Sequence, residues 1–230
     1  MKITQLHAWD VTAQEARHIQ GTLADRVSLT DAVRLADIRL VAGVDDSYVR
    51  TGKETISHAA VVVLTFPDLD IVETVYGERT VNFPYVPGLL SFREAPAVLA
   101  AFERLQTIPD VVLFDGQGYA HPRRFGLASH LGVVLDLPSI GCAKSRLVGQ
   151  YEEPLRELGA LTPLVDGGET VGAAVRTRPR HAPLFVSPGH KIGVASAVAI
   201  TLACCREGAF MPVPTRAAHD PVTAHARQRR

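Results

Sequence analysis

Three long runs of strand-forming residues most narrow what this chain can become. "IRLVAGVDDSYV" (Ile38–Val49), "SHAAVVVLTF" (Ser57–Phe66) and "IVETVYGERTV" (Ile71–Val81) are rich in valine, isoleucine, threonine and tyrosine. Short polar connections, "RTGKETI" and "PDLD", separate them and suit antiparallel neighbours. The rhythm then turns helical in "SFREAPAVLAAFERLQ" (Ser91–Gln106), with Ser91 a candidate cap and Glu94 three residues on. Strand "DVVLFD", a helical stretch "RRFGLASHLGVVLDL" and strand "SIGCA" follow. Three antiparallel strands followed by helix, strand, helix and strand predict an α/β fold with one central mixed sheet and helices on both faces.

The flanks agree with that plan. "TAQEA" has the capping-box spacing from Thr12 to Glu15, which predicts a first helix running toward Val27. Between Tyr151 and Pro183 the pattern weakens, with Gly167-Gly168 reading as a hairpin turn before "TVGAAVRTR". A strand "LFVS" leads to a helix over Lys191–Arg206, and a last helix starts near Thr215, whose hydroxyl could cap it. No linker or repeat divides the chain, so residues 1–230 are expected to form a single domain.

Charge excludes an easy answer. Lys+Arg and Asp+Glu are both 24, so the net charge is +0, and any phosphate-binding surface must be local. Basic residues do cluster, at Arg123-Arg124, at Lys144 and Arg146, at Arg176, Arg178 and Arg180, and in the tail "ARQRR". Together they could form one phosphate-binding face. Cys142, Cys204 and Cys205 show neither a disulfide framework nor zinc spacing and read as small buried residues. The start "MKITQLHAWD" has no signal-peptide core, and the apolar run Ile192–Cys205 is too short to span a bilayer. A soluble, cytoplasmic protein without a membrane partner is expected.

Two carboxylates stand at corresponding places. Asp45 interrupts the first strand in "VAGVDDSYV", and Asp115 ends the fourth in "VVLFDG". If those strands are neighbours, the acids meet at one end of the sheet, where oxygen ligands suit Mg2+ or Mn2+. The other reading is that Asp46 and Asp115 merely begin turns. Glu94 could aim a third oxygen at the same place or serve only as a capping partner for Ser91. Lys144 could neutralise a phosphoryl oxygen or stay solvated. His219 and His121 are further candidates, and His121, close to Asp115, ranks above His58, His130 and His225. Tyr85 lies between Pro84 and Pro87, where its ring could stack on a base or tuck over the core.

The blocks "VAGVDDSY", "YVPGLLSFREAP", "DGQGYAHPRRFGLASHLGV", "IGCAKSRLVG", "SPGHKIG" and "PVPTRAAH" resemble, in order and spacing, the signature blocks of the endonuclease V family. The resemblance covers about Asp45 to His219. It implies an RNase H-like fold and a divalent-metal nuclease using Mg2+ or Mn2+, with inosine-containing DNA as substrate. Such an enzyme cuts the second phosphodiester bond 3′ to the lesion and leaves a 3′-hydroxyl and a 5′-phosphate.

By the same resemblance Asp45 and Asp115 fall on the metal-binding aspartates, Glu94 on the catalytic glutamate and Lys144 on the active-site lysine. His219 falls where relatives carry His or Asp, as a metal-shell or water-orienting residue. Tyr85, beside Pro84, matches the strand-separating wedge, and Gly88, Leu90, Gly116, Gly126, Leu127 and Gly141 match the pocket for a turned-out base. Arg93, Gly118, His121 and Arg123 complete the implied nucleic-acid contacts, with Gly116 and Gly118 admitting the backbone and His121, Arg123 and Arg124 holding phosphates. Asp46 departs from the family by standing where many relatives have an apolar residue, and Val213 by standing where they have Glu. An inosine-specific endoribonuclease and a non-catalytic binder of damaged nucleic acid are the alternatives.

Overall fold

The computed structural model describes residues 3–52 and 54–228. Its first helix, α1 (Ala13–Ala24), starts with the full capping box: the Glu15 amide donates to Thr12 Oγ1, and the Thr12 amide donates to the Glu15 carboxylate at 2.7 Å. Strands β1 (Leu40–Thr51), β2 (Glu54–Thr65) and β3 (Ile71–Thr80) form the antiparallel meander. Much of the expected "RTGKETI" connection is itself strand, because the chain turns tightly around Gly52 and pairs Thr51 with Glu54.

Helix α2 (Leu90–Phe102) leads to β4 (Val111–Phe114), then α3 (Leu127–Leu135) and β5 (Ser139–Ala143). Strands β6 (Leu161–Asp166) and β7 (Glu169–Val175) form the hairpin expected at Gly167-Gly168. Strand β8 (Leu184–His190), α4 (Val194–Ala203) and α5 (Val213–Gln228) close the chain. The sheet has eight strands in the order β3-β2-β1-β4-β5-β8-β7-β6, with β1, β4 and β5 parallel and the rest antiparallel. This is the mixed α/β arrangement that the order of elements predicts, and it agrees with the RNase H-like fold that the resemblance implies. No helix among the described residues is long and apolar enough to cross a membrane.

Strand periodicity divides the core into two layers. One face of the sheet, with Val41, Ala60, Val62, Leu113 and Ile140, packs on α4 and α5. The other, with Ala42, Val44, Val61, Val63 and Phe114, packs on α2 and α3. Two sequence expectations for helix starts fail. Ser91 does not cap α2; Leu89 holds that position without a side-chain hydrogen bond, and Ser91 Oγ lies 2.9 Å from His130 Nδ1. Burial against the imidazole outcompetes the local capping pattern. Thr215 lies inside α5, where its hydroxyl donates to the Pro212 carbonyl at 2.9 Å.

Helix α5 approaches β1 so closely that a Cβ at Gly43 would stand 1.8 Å from the Pro214 carbonyl oxygen. Backbone on both sides leaves nothing flexible to move aside. Gly43→Ala is expected to lower the unfolding free energy by about 2–3 kcal/mol, read from urea denaturation. Unchanged stability would mean that α5 does not sit this close.

Candidate active site

Asp45 and Asp115 lie at the same end of neighbouring parallel strands. Val44 pairs with Phe114, and the Asp115 amide donates to the Val44 carbonyl at 3.4 Å. Asp45 is on the face covered by α5, which brings His219 Nδ1 to 2.6 Å from Asp45 Oδ2. Lys144, just beyond β5, donates from Nζ to Asp115 Oδ2 at 2.5 Å. Burial pushes the Asp45 carboxyl above the ordinary carboxylate range; the His219 hydrogen bond opposes that shift and the Asp115 charge adds to it. Two acids whose charges disfavour one another, each already answered by one basic side chain, form an oxygen donor set that fits a hard divalent cation.

Asp46 points through the opposite face of β1, toward α2. It accepts from Ser57 Oγ at 3.2 Å and stands with Tyr48 and Glu94. Tyr48 donates to Glu94 Oε1 at 3.3 Å, and the Arg93 guanidinium lies 4.6 Å from the Tyr48 ring centre. Burial, then the Asp45 charge, raises the Asp46 carboxyl to about 7. Burial and the Asp46 charge raise Glu94 well above its ordinary value. Glu94 is therefore next to the aspartate pair, with Asp46 and Tyr48 as its immediate partners.

A cavity of about 350 Å3 opens beside Asp115 and Lys144. Tyr85, Gly88, Leu90, Gly116 and Leu127 line it. Tyr85 is 71% exposed, so it is not tucked over the core. Arg93 donates to the Phe83 carbonyl at 3.0 Å behind the Pro84–Tyr85 segment. A second cleft on the other side of Asp115 and Lys144 is lined by Arg178, Arg216 and His219. Asp115 and Lys144 thus stand between a largely apolar cavity and a basic cleft.

Several sequence-derived contacts have other partners. His121 is buried; burial and Arg123 lower its pKa to about 4, so it is neutral near pH 7. Its Nε2–H donates to the Gly88 carbonyl at 3.0 Å, and its Nδ1 accepts from the Arg123 amide at 3.2 Å. The Arg123 guanidinium donates to the same carbonyl at 2.8 Å. Arg124 donates to Asp166 at 2.8 Å and to Glu169 at 2.9 Å. His121 and Arg123 thus brace the Gly88 side of the cavity, and Arg124 ties the same loop to the β6–β7 hairpin. Arg176 is buried against Glu153 and backbone carbonyls, which removes it from the expected basic face. Of the expected basic tail, residues 229 and 230 lie outside the described residues.

The glycines of this region are set by close packing. A Cβ at Gly118 would meet the Pro188 carbonyl oxygen at 2.2 Å, one at Gly126 the Gln117 carbonyl oxygen at 2.4 Å, and one at Gly141 the Gly118 nitrogen at 2.4 Å. Protein backbone thus fills the side-chain direction at all three, so only glycine fits there, and Gly126 still lines the cavity. Gly116, whose Cβ would meet only Leu127 at 3.1 Å, does line the cavity. Gly88 adopts φ +77, a left-handed backbone that turns its carbonyl toward three donors. The third donor is Gln20, which also accepts from Arg123 Nε at 2.6 Å. Gln20 was not legible as a site residue; a buried glutamine on an otherwise amphipathic α1 is its only local signal.

The family profile described as Endonuclease V matches residues 21–220. The endonuclease V of Gloeobacter violaceus is 51% identical over 216 residues, 94% of this chain and 87% of the relative. The chain belongs to the endonuclease V family. Its structure aligns with the Bacillus subtilis endonuclease V at a TM-score of 0.95 and 32% identity, over 100% of this chain and 98% of that one. It also aligns with the Ciona intestinalis endonuclease V bound to a 24mer DNA containing an inosine followed by a ribo-adenosine. That TM-score is 0.82, with 25% identity and 94% and 98% coverage. By family this endonuclease V is a nuclease hydrolase.

The Asp46 carboxyl carries a pH signature. Its folded pKa of about 7 exceeds the ordinary 3.8, so the folded state holds the proton more tightly than the unfolded chain does. Ionising Asp46 therefore lowers stability as pH rises from 3.8 to about 7, and the loss is complete above that. Asp46→Asn is expected to raise Tm relative to wild type at pH 8, with the gain shrinking steadily toward pH 4. Melts in EDTA give the comparison, and a gain independent of pH would rule out this titration.

Proposed function

We propose that this endonuclease V cleaves DNA at inosine in a reaction that depends on Mg2+, with Mn2+ as a substitute. The observation that carries the reading is the pairing of Asp45 with Asp115, which lines the cavity, each beside a basic group. Asp45 and Asp115 would hold the ion. When bound, it supplies charge neutralisation and Lewis acidity at the scissile phosphate.

The chain's own residues supply the rest. A turned-out hypoxanthine would enter the cavity between Leu90 and Leu127, over Gly116. The weaker inosine pair lowers the unstacking cost of a few kcal/mol. Tyr85, exposed at the rim, would fill the gap left in the stack. The strand would then run past Asp115 and Lys144 toward Arg178 and Arg216, and the cut would fall at the second phosphodiester bond 3′ to the lesion. Hydrolysis adds water across a P–O3′ bond, so one proton leaves the water and one reaches the departing oxygen. Lys144 Nζ would offset charge on the phosphoryl oxygens. His219, oriented by Asp45, would position the water or carry a proton, and Glu94 would act beside it.

Inosine placed in matched DNA and RNA strands, with undamaged controls, tests the proposal. Wild-type protein is expected to nick inosine-containing DNA in Mg2+ and not in EDTA. Asp45→Ala and Asp115→Ala should each reduce the rate by roughly 1,000-fold with an unchanged circular dichroism spectrum. Tyr85→Ala should weaken binding of the inosine duplex by about 10- to 100-fold. Equal cutting of undamaged DNA would sink the specificity, and preferential cutting of the RNA strand would establish the endoribonuclease instead. Tight binding without cutting would favour the non-catalytic alternative.

A further inference from the structure

A second constellation of donors lies on the α5 face of the sheet, away from the aspartate pair. His58 on β2 and Glu78 on β3 are cross-strand partners, and His225 descends on them from α5. One ligand atom from each lies within 4.8 Å of the other two. His58 Nδ1 and Glu78 Oε2 are 3.5 Å apart. Two ligands on one tetrahedral zinc ion, with bonds of about 2.0–2.1 Å, stand about 3.4 Å apart. The imidazole planes are also fixed by packing. His225 stacks on Tyr76 with centroids 4.5 Å apart and 12° between planes, and its ring meets that of His58 at 5.7 Å and 71°. His58 is buried, while Glu78 and His225 are half-buried at the edge strand, which leaves an ion a way in.

We propose that His58, Glu78 and His225 form a binding site for a divalent transition-metal ion, zinc above all, that clamps the C-terminal part of α5 to β2 and β3. Two imidazoles and one carboxylate are the ligands of a borderline-soft ion; Mg2+ prefers oxygen and retains its waters. The two centres therefore differ in ligand chemistry, one built from carboxylates and one from imidazoles. Three protein ligands complete a tetrahedral shell with one water. Arg104 also faces the cleft, and its guanidinium is held by the Tyr76 carbonyl at 2.8 Å. The clamp acts on the helix that carries His219, less than two turns before His225. It also acts on β2 two residues from Ala60, the register partner of Asp45. Occupancy would thus stiffen the frame on which Asp45 and His219 meet.

Full-length protein without a histidine tag, carrying Asp45→Asn and Asp115→Asn to disable the aspartate centre, gives the test. After chelation and dialysis, this protein should bind one equivalent of Zn2+ that millimolar Mg2+ does not displace. Co2+ in its place should give the visible absorption of a tetrahedral nitrogen–oxygen site. Added to the same background, Glu78→Gln and His225→Ala should each weaken Zn2+ binding by about 100-fold or more. Both should retain the metal-free circular dichroism spectrum, and Zn2+ should raise Tm only where all three ligands are present. Less than one equivalent bound, or one equivalent indifferent to both substitutions, overturns the site.

Discussion

Everything in this molecule is arranged around two like charges held side by side. Asp45 and Asp115 end up together because β1 and β4 are adjacent and parallel and both finish at one rim. In water such acids would move apart. Here the strands forbid it, so the surroundings must supply positive charge or hydrogen-bonding partners. Lys144 from the end of β5 answers Asp115, and His219 from α5 answers Asp45. That demand explains why α5 must lie hard against β1, close enough that only glycine fits at position 43. Packing and chemistry share one constraint.

Much of the frame was readable from the sequence because the signals are local and repeated. Strand-forming residues concentrated in Ile38–Val49, Ser57–Phe66 and Ile71–Val81 mark strands whichever partner they find, and their short connections allow little except a meander. The Thr12–Glu15 box forms as read. The Ser91–Glu94 spacing does not, because both side chains have stronger partners from distant segments, His130 for one and Tyr48 for the other. A capping pattern describes what the backbone would accept; tertiary partners decide what the side chains do.

The site was legible in its acids and not in its supports. Asp45 and Asp115 announce themselves as carboxylates interrupting or ending apolar runs. Gln20, His121 and Arg123 converge on the carbonyl of Gly88, and a backbone carbonyl leaves no mark in a sequence. The basic residues misled for a related reason. Counting arginines cannot reveal that Arg176 is buried and Arg124 already doubly paired, while Arg178 and Arg216 remain in the cleft beside Lys144. The glycine-rich stretch after β4 likewise reads as an opening. In the structure, Gly118, Gly126 and Gly141 let that loop fold tightly on β5 and β8, which makes the cavity wall rigid. A binding cavity gains more from a fixed wall than from a loose one.

Strand alternation gives consecutive acids opposite tasks. Asp45 faces α5 and the cleft; Asp46, one residue on, faces α2, Tyr48 and Glu94. The backbone therefore carries two carboxylates through one point of the sheet, and burial disfavours charge on both. Only Asp45 has a basic partner within hydrogen-bond reach; the Asp46 carboxylate is met by hydroxyls and another acid. A proton retained on the Asp46–Glu94 side is the physical consequence, since two ionised acids in contact with a tyrosine hydroxyl would repel without compensation. Asp46 thus has a definite place in this structure. It places a titrating group directly behind Asp45, whose charge helps hold the proton on Asp46 through the sheet.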